Sequence, residues 1–369
     1  MKILQVMASC ARDSGVAQVM MNYYRNIHKD IIFDFLLFWD IEDSFKEEIL
    51  SYGGNIFFTG TPTISAIVDY CKYMDDFFSK YANEYDAVHL HELYLSPIIF
   101  YFAKKHGLCV RIAHSHTTKL SENKIKAVRN KVLFYGTRFL GTHFFACSRD
   151  AGVAAFGISI VNSRNFYVIK NAINCEKFLF NSEKREKIRT ELGIGNSIVI
   201  GNVGRFCIQK NQLFLIDVFA ELCNMGLDAK LLLVGNGPLI NKVLSKISEY
   251  NITDKVILLG VKKNVGDFLS AMDVFVFPSI FEGLGIVLIE AQCNGLKCIA
   301  SDVIPGEARV ISSYQELNLN KNPSIWAKEI INSDIERLDK TRRYIEECGY
   351  DLCVAAKSLV KIYFNIIKE

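Results

Sequence analysis

The chain has 369 residues, a net charge of +3, and a composition that is 50% hydrophobic and 22% charged. That composition is typical of a globular protein and excludes a disordered chain, and the length predicts two domains. Its densest apolar run, residues 31–39, contains Asp34 and is far shorter than a membrane-spanning helix requires, so no transmembrane helix is expected.

The first half of the sequence alternates between strand and helix patterns. Strands are predicted at 2–8, 33–39, 55–59, 86–91, 109–115, 142–148 and 166–171, and helices at 16–27, 43–52, 64–81 and 95–106. This alternation predicts a parallel sheet with helices on both faces.

A charged helix at 181–194 precedes a second alternation. Strands are predicted at 198–204, 230–236, 256–260, 273–279 and 297–302, with helices at 210–224, 238–250 and 285–294. The chain is therefore expected to form two Rossmann-like halves, residues 1–172 and 173–350, and a last helix near 351–367.

The eleven cysteines are scattered singly and include no C-x-x-C pair, so neither a zinc site nor a disulfide framework is expected. The N-terminal residues MKILQVMAS lack a signal-peptide cleavage region, which predicts a cytoplasmic protein.

Residues 277–295, FPSIFEGLGIVLIEAQCNG, hold two glutamates around a glycine-rich helix start. Backbone N–H groups and the positive end of the helix dipole favour an anion there. Glu290 lies about one and a half turns into the helix, where a carboxylate can grip two vicinal hydroxyl groups of a ribose. In the alternative interpretation, Glu282 only caps the helix and Glu290 is a solvated surface residue.

A second group of polar residues follows the strand at 198–204. Arg205 and Lys210 come directly after it, at the edge of a parallel sheet where ligands bind. An arginine fork and a lysine point charge suit a diphosphate, although two cations in an ordinary surface loop are the alternative.

Taken in order, these motifs resemble those of a known family. Strand-G-R-x4-K, V-G-N-G-P (234–238) and F-P-S-x-x-E-G-L-G-x4-E resemble the family-4 retaining glycosyltransferases. The segments YDAVHLH (85–91), RIAHSHTTK (111–119), THFFACS (142–148), VIKNAINCEKF (168–178) and SDVIPGEA (301–308) are similar to the branch that makes bacterial capsular and other surface polysaccharides.

The resemblance implies a GT-B fold of class α/β, with two Rossmann-like domains facing across a cleft and helix 351–369 crossing back to the first. It also implies a retaining hexosyltransferase that needs no metal or other cofactor. The donor would be a nucleotide diphosphate sugar, with UDP as the expected nucleotide. The acceptor would be a hydroxyl group of a glycan or of a polyprenyl-diphosphate-linked sugar.

The same resemblance assigns roles to individual residues. Arg205 and Lys210 would hold the pyrophosphate, Glu290 the ribose and Glu282 the transferred sugar, while His116 would stand at the cleft wall. The remaining donor-binding residues would be Gly15, Gly204, Val261, Gly283, Leu284, Gly285 and Ile286. One departure affects acceptor placement, since Ser14 precedes Gly15 where relatives often carry two glycines.

Four histidines alternate near the ends of two predicted strands, at 89, 91, 114 and 116. His116 is expected to act as a hydrogen-bond donor, His91 is a weaker acceptor-side candidate, and the other two are interpreted as packed strand residues. A metal site is the alternative, but no carboxylate or cysteine completes a ligand set at a recognisable spacing. The sequence also contains no D-x-D pair, which favours a metal-independent site.

Residues 104–138 carry nine basic side chains and one acidic one, a local charge of +8. An amphipathic helix within this window could lie on an anionic membrane, or it could be an ordinary surface helix. The membrane-contact candidates are Lys124, Lys126, Arg129 and Lys131. No nucleic-acid motif is present, so nucleic acid is not an expected partner.

Other functions remain open at this stage. A nucleotide-sugar epimerase or a phosphorylase could share the fold, and an inactive scaffold at the membrane surface is a non-enzymatic alternative. A dinucleotide oxidoreductase is disfavoured because G-x-G-x-x-G is absent.

Overall fold

The computed structural model describes residues 1–60, 63, 65–116, 134 and 136–369. They fold as two compact units. The first comprises Met1–Ala172 and Leu352–Glu369, and the second comprises Ile173–Asp351.

The first unit is built on a parallel sheet of seven described strands. They are β1 (Lys2–Met7), β2 (Ile32–Leu37), β3 (Ile56–Phe58), β4 (Ala87–Leu90), β5 (Val110–Ser115), β6 (His143–Ala146) and β7 (Phe166–Val168). Their order in the sheet is β3-β2-β1-β4-β5-β6-β7. The connecting helices are α1 (Gly15–Ile27), α2 (Lys46–Ser51), α3 (Ile67–Tyr81), α4 (Ser96–Lys105), α5 (Arg149–Phe156) and α6 (Ile158–Val161).

Both faces of this sheet are buried. Ile3 and Met7 of β1 pack into one apolar cluster, while Leu4 and Val6 pack into another on the opposite face. Successive strand residues point to opposite faces, so a strand covered on both sides must be apolar nearly throughout. Gln5 is the one polar residue among the buried positions of β1, and it is fully buried.

The second unit has a parallel sheet of six described strands. They are β8 (Ile198–Val203), β9 (Ala229–Val234), β10 (Val256–Leu258), β11 (Val274–Phe277), β12 (Lys297–Ser301) and β13 (Tyr314–Leu317), in the order β10-β9-β8-β11-β12-β13. Its helices are α7 (Ser182–Glu191), α8 (Gln212–Asn224), α9 (Ile240–Glu249), α10 (Val265–Ala271), α11 (Ile286–Cys293), α12 (Pro323–Ile331) and α13 (Thr341–Glu347).

The last described helix, α14 (Leu352–Lys368), belongs to the first unit although it follows the second in sequence. It packs against α1. Leu359, Tyr363 and Ile366 enter the same apolar cluster as Ile3 and Met7. A helix that buries one stripe of apolar residues is held mainly by that contact.

Part of the basic window at 104–138 falls within the described residues, and its basic side chains differ in exposure, since Lys104 and Lys105 are exposed. Arg111 lies in β5 and is buried, with its guanidinium donating to three backbone carbonyl groups. Lys105 pairs with Asp75 at 2.8 Å. Arg111 therefore adds no surface charge to the window, because a covered strand turns its side chain onto carbonyl oxygens. The membrane-contact candidates Lys124, Lys126, Arg129 and Lys131 lie outside the described residues.

Candidate functional site

Each sheet reverses its strand order at one point, between β1 and β4 in the first unit and between β8 and β11 in the second. Ligands of open α/β sheets bind beyond the carboxyl ends of the strands at such a point. In the second unit, the loops after β8 and β11 carry the cations and glutamates singled out from the sequence. In the first unit, the ends of β4 and β5 carry the histidines.

An ion pair joins the two motifs of the second unit. Lys210 Nζ lies 2.7 Å from Glu282 Oε1, and only 18% of the lysine side chain and 7% of the glutamate side chain are exposed. The ammonium also lies 4.8 Å from the centre of the Phe277 ring, a cation–π contact. The structure therefore brings together two predicted site residues that are 72 positions apart in sequence.

Two neighbours of Lys210 fix the loop that carries Glu282. Gln209 Nε2 donates to Glu282 Oε2 at 3.2 Å and to the carbonyl of Phe281 at 3.0 Å. Asn211 donates to the carbonyl of Pro278 at 3.2 Å, and its own backbone adopts a left-handed conformation with φ of 55°. Asparagine tolerates that conformation better than most residues, so the turn into α8 is compatible with the sequence.

The start of α11 depends on Gly285. Its φ is +80°, and a Cβ at this position would lie 3.0 Å from the Phe277 ring. Gly285 occupies the N-cap position and has no side chain with which to cap this helix, and the N–H groups of a first helical turn are suited to bind an anion. The glycine-rich spacing therefore has a conformational cause as well as the predicted role in phosphate approach.

Glu290 projects from α11 and is half-buried. Burial raises its pKa to about 8, and the positive charge of Lys210 acts in the opposite direction. A carboxyl group with a strongly shifted pKa and a nearby charged partner is a common feature of functional sites.

The other predicted donor-binding residues occupy the same edge of the second unit. Arg205 is exposed in the loop after β8, and Val261 is 79% exposed in the loop after β10. Leu284 is an exception because it is buried in the apolar core, so only its backbone is suited to contact a ligand. Gly204 and Gly283 are half-buried in the loops around Lys210 and Glu282, and Ile286 is half-buried at the start of α11.

In the first unit, Gly15 is the first residue of α1, and Ser14 caps this helix by accepting a hydrogen bond from the backbone N–H of Ala17 at 3.3 Å. A Cβ on Gly15 would meet no atom within 4 Å. Packing within this unit therefore does not explain the glycine.

The four histidines form one stack at the ends of β4 and β5. His89, His91 and His114 are buried, whereas His116 is half-buried. His91 Nδ1 lies 2.7 Å from His116 Nε2, and its other ring nitrogen lies 2.9 Å from Gln5 Oε1. His91 thus lies between Gln5 and His116, so we expect it to influence a ligand only through its hydrogen bond to His116.

Ring nitrogens of His89, His91 and His114 lie within 4.8 Å of one another, a spacing that a metal ion could bridge. The facing nitrogens of His89 and His114 are 3.1 Å apart, and these two rings stack at an angle of 16°. Rings that bind one ion usually converge on it in their own planes, so this arrangement favours hydrogen bonds between the rings. Metal independence stays a prediction.

Sequence reasoning missed three polar residues in these sites. Gln209 holds Glu282, Gln5 bonds to His91, and Glu92 follows His91 directly. Burial raises the pKa of Glu92. A signal existed for Gln5, since a glutamine inside the apolar run KILQVM must find a buried partner.

Comparison with known proteins places the chain in a family. Residues 184–350 match the family described as glycosyl transferases group 1. EpsF of Bacillus subtilis (strain 168) is 31% identical over 377 residues, which cover 100% of this chain and 97% of EpsF. The chain belongs to the group 1 glycosyltransferases. The predicted family is therefore confirmed.

A more distant relative of this glycosyltransferase has a specific name. The UDP-Gal:alpha-D-GlcNAc-diphosphoundecaprenol alpha-1,3-galactosyltransferase of Escherichia coli is 28% identical over 255 residues, covering 66% of this chain and 65% of that protein.

A solved structure supports the fold. The crystal structure of Anabaena Alr3699/HepE in complex with UDP and glucose matches with a TM-score of 0.78 at 17% identity, covering 99% of this chain and 100% of that one. The predicted fold class, two parallel-sheet Rossmann-like domains of the GT-B type, is confirmed. Among the described residues, no helix combines the length and apolar character needed to cross a membrane.

Proposed function

We propose that this glycosyltransferase moves a hexose from a UDP-sugar to a hydroxyl group of a lipid-linked glycan, with retention of anomeric configuration and without a metal ion. The observation that carries the proposal is the Lys210–Glu282 pair, with Glu290 beside it at the ligand-binding edge of the second unit. A cation and two carboxylates, which we propose bind the diphosphate, the sugar and the ribose, therefore lie close together.

Donor binding would begin at Lys210. The diphosphate would share this ammonium with Glu282, while Arg205 and the N–H groups at the start of α11 would take further phosphate oxygens. Since Glu282 already accepts hydrogen bonds from Lys210 and Gln209, its carboxylate is held in a fixed orientation. It would then accept from hydroxyl groups of the transferred sugar.

Glu290 would bind the ribose through its two hydroxyl groups. A carboxylate accepts both hydrogen bonds, whereas a protonated carboxyl group must donate one of its own. The raised pKa of Glu290, about 8, means that UDP-sugar binding near neutral pH would favour the ionised form and release a proton.

The chemical step needs charge stabilisation more than a nucleophile. Negative charge grows on the departing diphosphate as the sugar leaves, and Lys210, Arg205 and the α11 terminus would stabilise it. The departing phosphate would take the proton of the acceptor hydroxyl on the same face of the sugar, which gives retention. The role proposed for this chain is therefore to position both substrates and to neutralise the leaving group.

The name of the E. coli relative supports a UDP-sugar donor and a diphosphoundecaprenol-linked acceptor. Similarity of the first-half segments to the polysaccharide branch supports a place in surface polysaccharide synthesis. We propose a cytoplasmic protein that meets its lipid-linked acceptor at the inner face of the membrane, with the window 104–138 as the contact.

Calorimetric titration with UDP, GDP and ADP, with and without EDTA, tests the donor site. Micromolar affinity for UDP that EDTA leaves unchanged is the expected result. Lys210→Ala should abolish it, whereas Lys246→Ala, which removes a lysine paired with Asp217 away from the site, should not. Failure of all three nucleotides to bind would refute the proposal, and turnover of a UDP-sugar without acceptor would indicate an epimerase instead.

A further inference from the structure

The histidine stack in the first unit contains two separate hydrogen-bond chains. One runs from Gln5 through His91 to His116, with contacts of 2.9 and 2.7 Å. The other runs from Tyr363 through His89 to His114, with contacts of 2.6 and 3.1 Å. Only the first chain ends at a ring that is not fully buried, because His89 and His114 are each 1% exposed.

Burial favours the neutral form of each ring, which carries one proton. Burial lowers the pKa of His89, His91 and His114 well below the ordinary value and lowers that of His116 to about 4. A neutral imidazole has one N–H donor and one acceptor nitrogen, and each hydrogen bond needs one of each. The direction of a chain is therefore set by the group at its far end.

Gln5 is that group for the chain that reaches His116. Its carbonyl oxygen faces His91 Nε2, so this nitrogen must carry the proton and His91 Nδ1 must accept. His116 Nε2 must then donate to His91. The second nitrogen of His116, Nδ1, is left with its lone pair.

The other end of the Gln5 amide lies near the phenol of Tyr363. The Gln5 side chain acts to lower the pKa of the Tyr363 phenol, against the effect of burial. An N–H group directed at the phenol oxygen has that effect, although Gln5 Nε2 forms no hydrogen bond of good geometry with the described residues. With the amide nitrogen on the Tyr363 side, the amide oxygen is directed at His91.

We propose that Gln5 and His91 are positioning residues that fix His116 as its Nε2–H tautomer, so that His116 accepts a hydrogen bond from a substrate hydroxyl through Nδ1. This replaces the expectation that His116 donates. The hydrogen bond from a substrate hydroxyl rests on the proposed function, whereas the tautomer of His116 is a property of the free protein. A hydroxyl group that donates to His116 keeps its oxygen lone pairs directed elsewhere, which fixes how the sugar or the acceptor is oriented.

Nuclear magnetic resonance of the full chain labelled with [15N]histidine tests the tautomer directly. Two-bond proton–nitrogen correlations at neutral pH distinguish a protonated from an unprotonated ring nitrogen. We expect His116 Nε2 and His91 Nε2 to be protonated and both Nδ1 atoms to be unprotonated. Protonation of His116 at Nδ1, a doubly protonated His116, or a divalent ion retained by the purified protein on these rings would overturn the proposal.

Gln5→Met removes the amide while keeping the length of the side chain. One neutral hydrogen bond biases the tautomer ratio by about two- to tenfold, so we expect the His116 signals to shift toward a mixture. The turnover number should fall by a similar factor while UDP affinity, which depends on the second unit, stays unchanged. Tyr23→Phe is the matched control, since it removes a different buried hydrogen bond, to the carbonyl of Lys170.

If His116 kept the same tautomer in a folded Gln5→Met protein, the proposed control of His116 by Gln5 through His91 would be refuted. Loss of UDP binding in the wild-type protein would instead refute the proposed function and leave the tautomer result standing.

Discussion

Replacing Glu290 by glutamine should make this protein more stable at neutral pH and weaken binding at the proposed donor site. The side chain is half-buried, and its pKa rises from 4.5 to about 8 because burial disfavours the charge. Glutamine has nearly the same shape and carries no charge to desolvate. The substitution therefore removes the unfavourable free energy of burying a charged carboxylate, which affects the folded protein and not the unfolded chain.

The size of this effect depends on pH. At pH 7 an unfolded glutamate gains about 3.4 kcal/mol by ionising, whereas a group with a pKa of about 8 gains almost nothing. The folded state binds the extra proton, so wild-type stability falls as pH rises from about 4.5 to about 8. Because the side chain is only half-buried, we expect Glu290→Gln to add about 1–3 kcal/mol at pH 7 and nothing at pH 4.

Thermal unfolding between pH 4 and pH 8.5 measures the difference. For a unit of this size each kcal/mol raises Tm by about 2–4 °C, so the variant should unfold about 2–12 °C higher at pH 7. UDP affinity should fall at least about tenfold, because an amide has one acceptor where the carboxylate has two. The exposed Glu186→Gln serves as the control for loss of one negative charge.

A variant that was less stable than the wild type at pH 7, or whose advantage did not change with pH, would contradict this account. It would show that Glu290 is ionised and well paired in the free protein.

Three further outcomes follow from the same contacts. Lys210→Ala should weaken UDP binding at least about 100-fold in calorimetry with a normal circular dichroism spectrum, because a diphosphate loses a charge-assisted bond. Gln292→Leu should cost about 2–4 kcal/mol in urea unfolding, since the buried amide serves two carbonyl and two N–H groups near the α11 helix. Asp34→Ala should cost about 3–5 kcal/mol, because it leaves Lys2, Asn55 and Tyr85 without their shared acceptor. In that variant, UDP binding by the second unit should persist.

Local sequence signals were sufficient for much of the fold. Strands buried on both faces require nearly continuous apolar runs, so β1, β8 and β11 were recognisable. Their repetition with helices between them predicted two parallel sheets. The strand β13 was missed because its sequence, YQEL, is short and includes a charged residue. The helices α12 and α13, on either side of residues 332–340, were also missed.

The proposed donor site was predictable because its spacing is encoded within short segments. Gly285, Glu282 and Glu290 fall in one strand–loop–helix unit, and Lys210 follows a strand end. The Lys210–Glu282 ion pair itself was not predictable, since 72 residues separate its partners and only the sheet order brings them together.

The hydrogen-bond chain from Gln5 through His91 to His116 was not predictable from the sequence, for a different reason. Alternation placed each pair of histidines on one face of a strand, but it did not show which strand lies next to which. Gln5 lies 86 residues from His91, and its role depends on β1 and β4 being neighbours. Arg111 was counted among the nine basic residues of the window 104–138, and the count alone did not show that this one is buried in a strand.

The placement of α14 in the first unit has a consequence for how the protein is made. Residues 173–351 form the second unit as one continuous stretch, so this unit can fold as it leaves the ribosome. The first unit must wait for Leu352–Lys368, which emerge about 10–40 s after residue 172 at ordinary rates of synthesis. During that interval the apolar surface that later receives Leu359 and Tyr363 is exposed to solvent. We expect this exposed surface to make the N-terminal half of the nascent chain prone to aggregation and chaperone binding until residues 352–368 have been made.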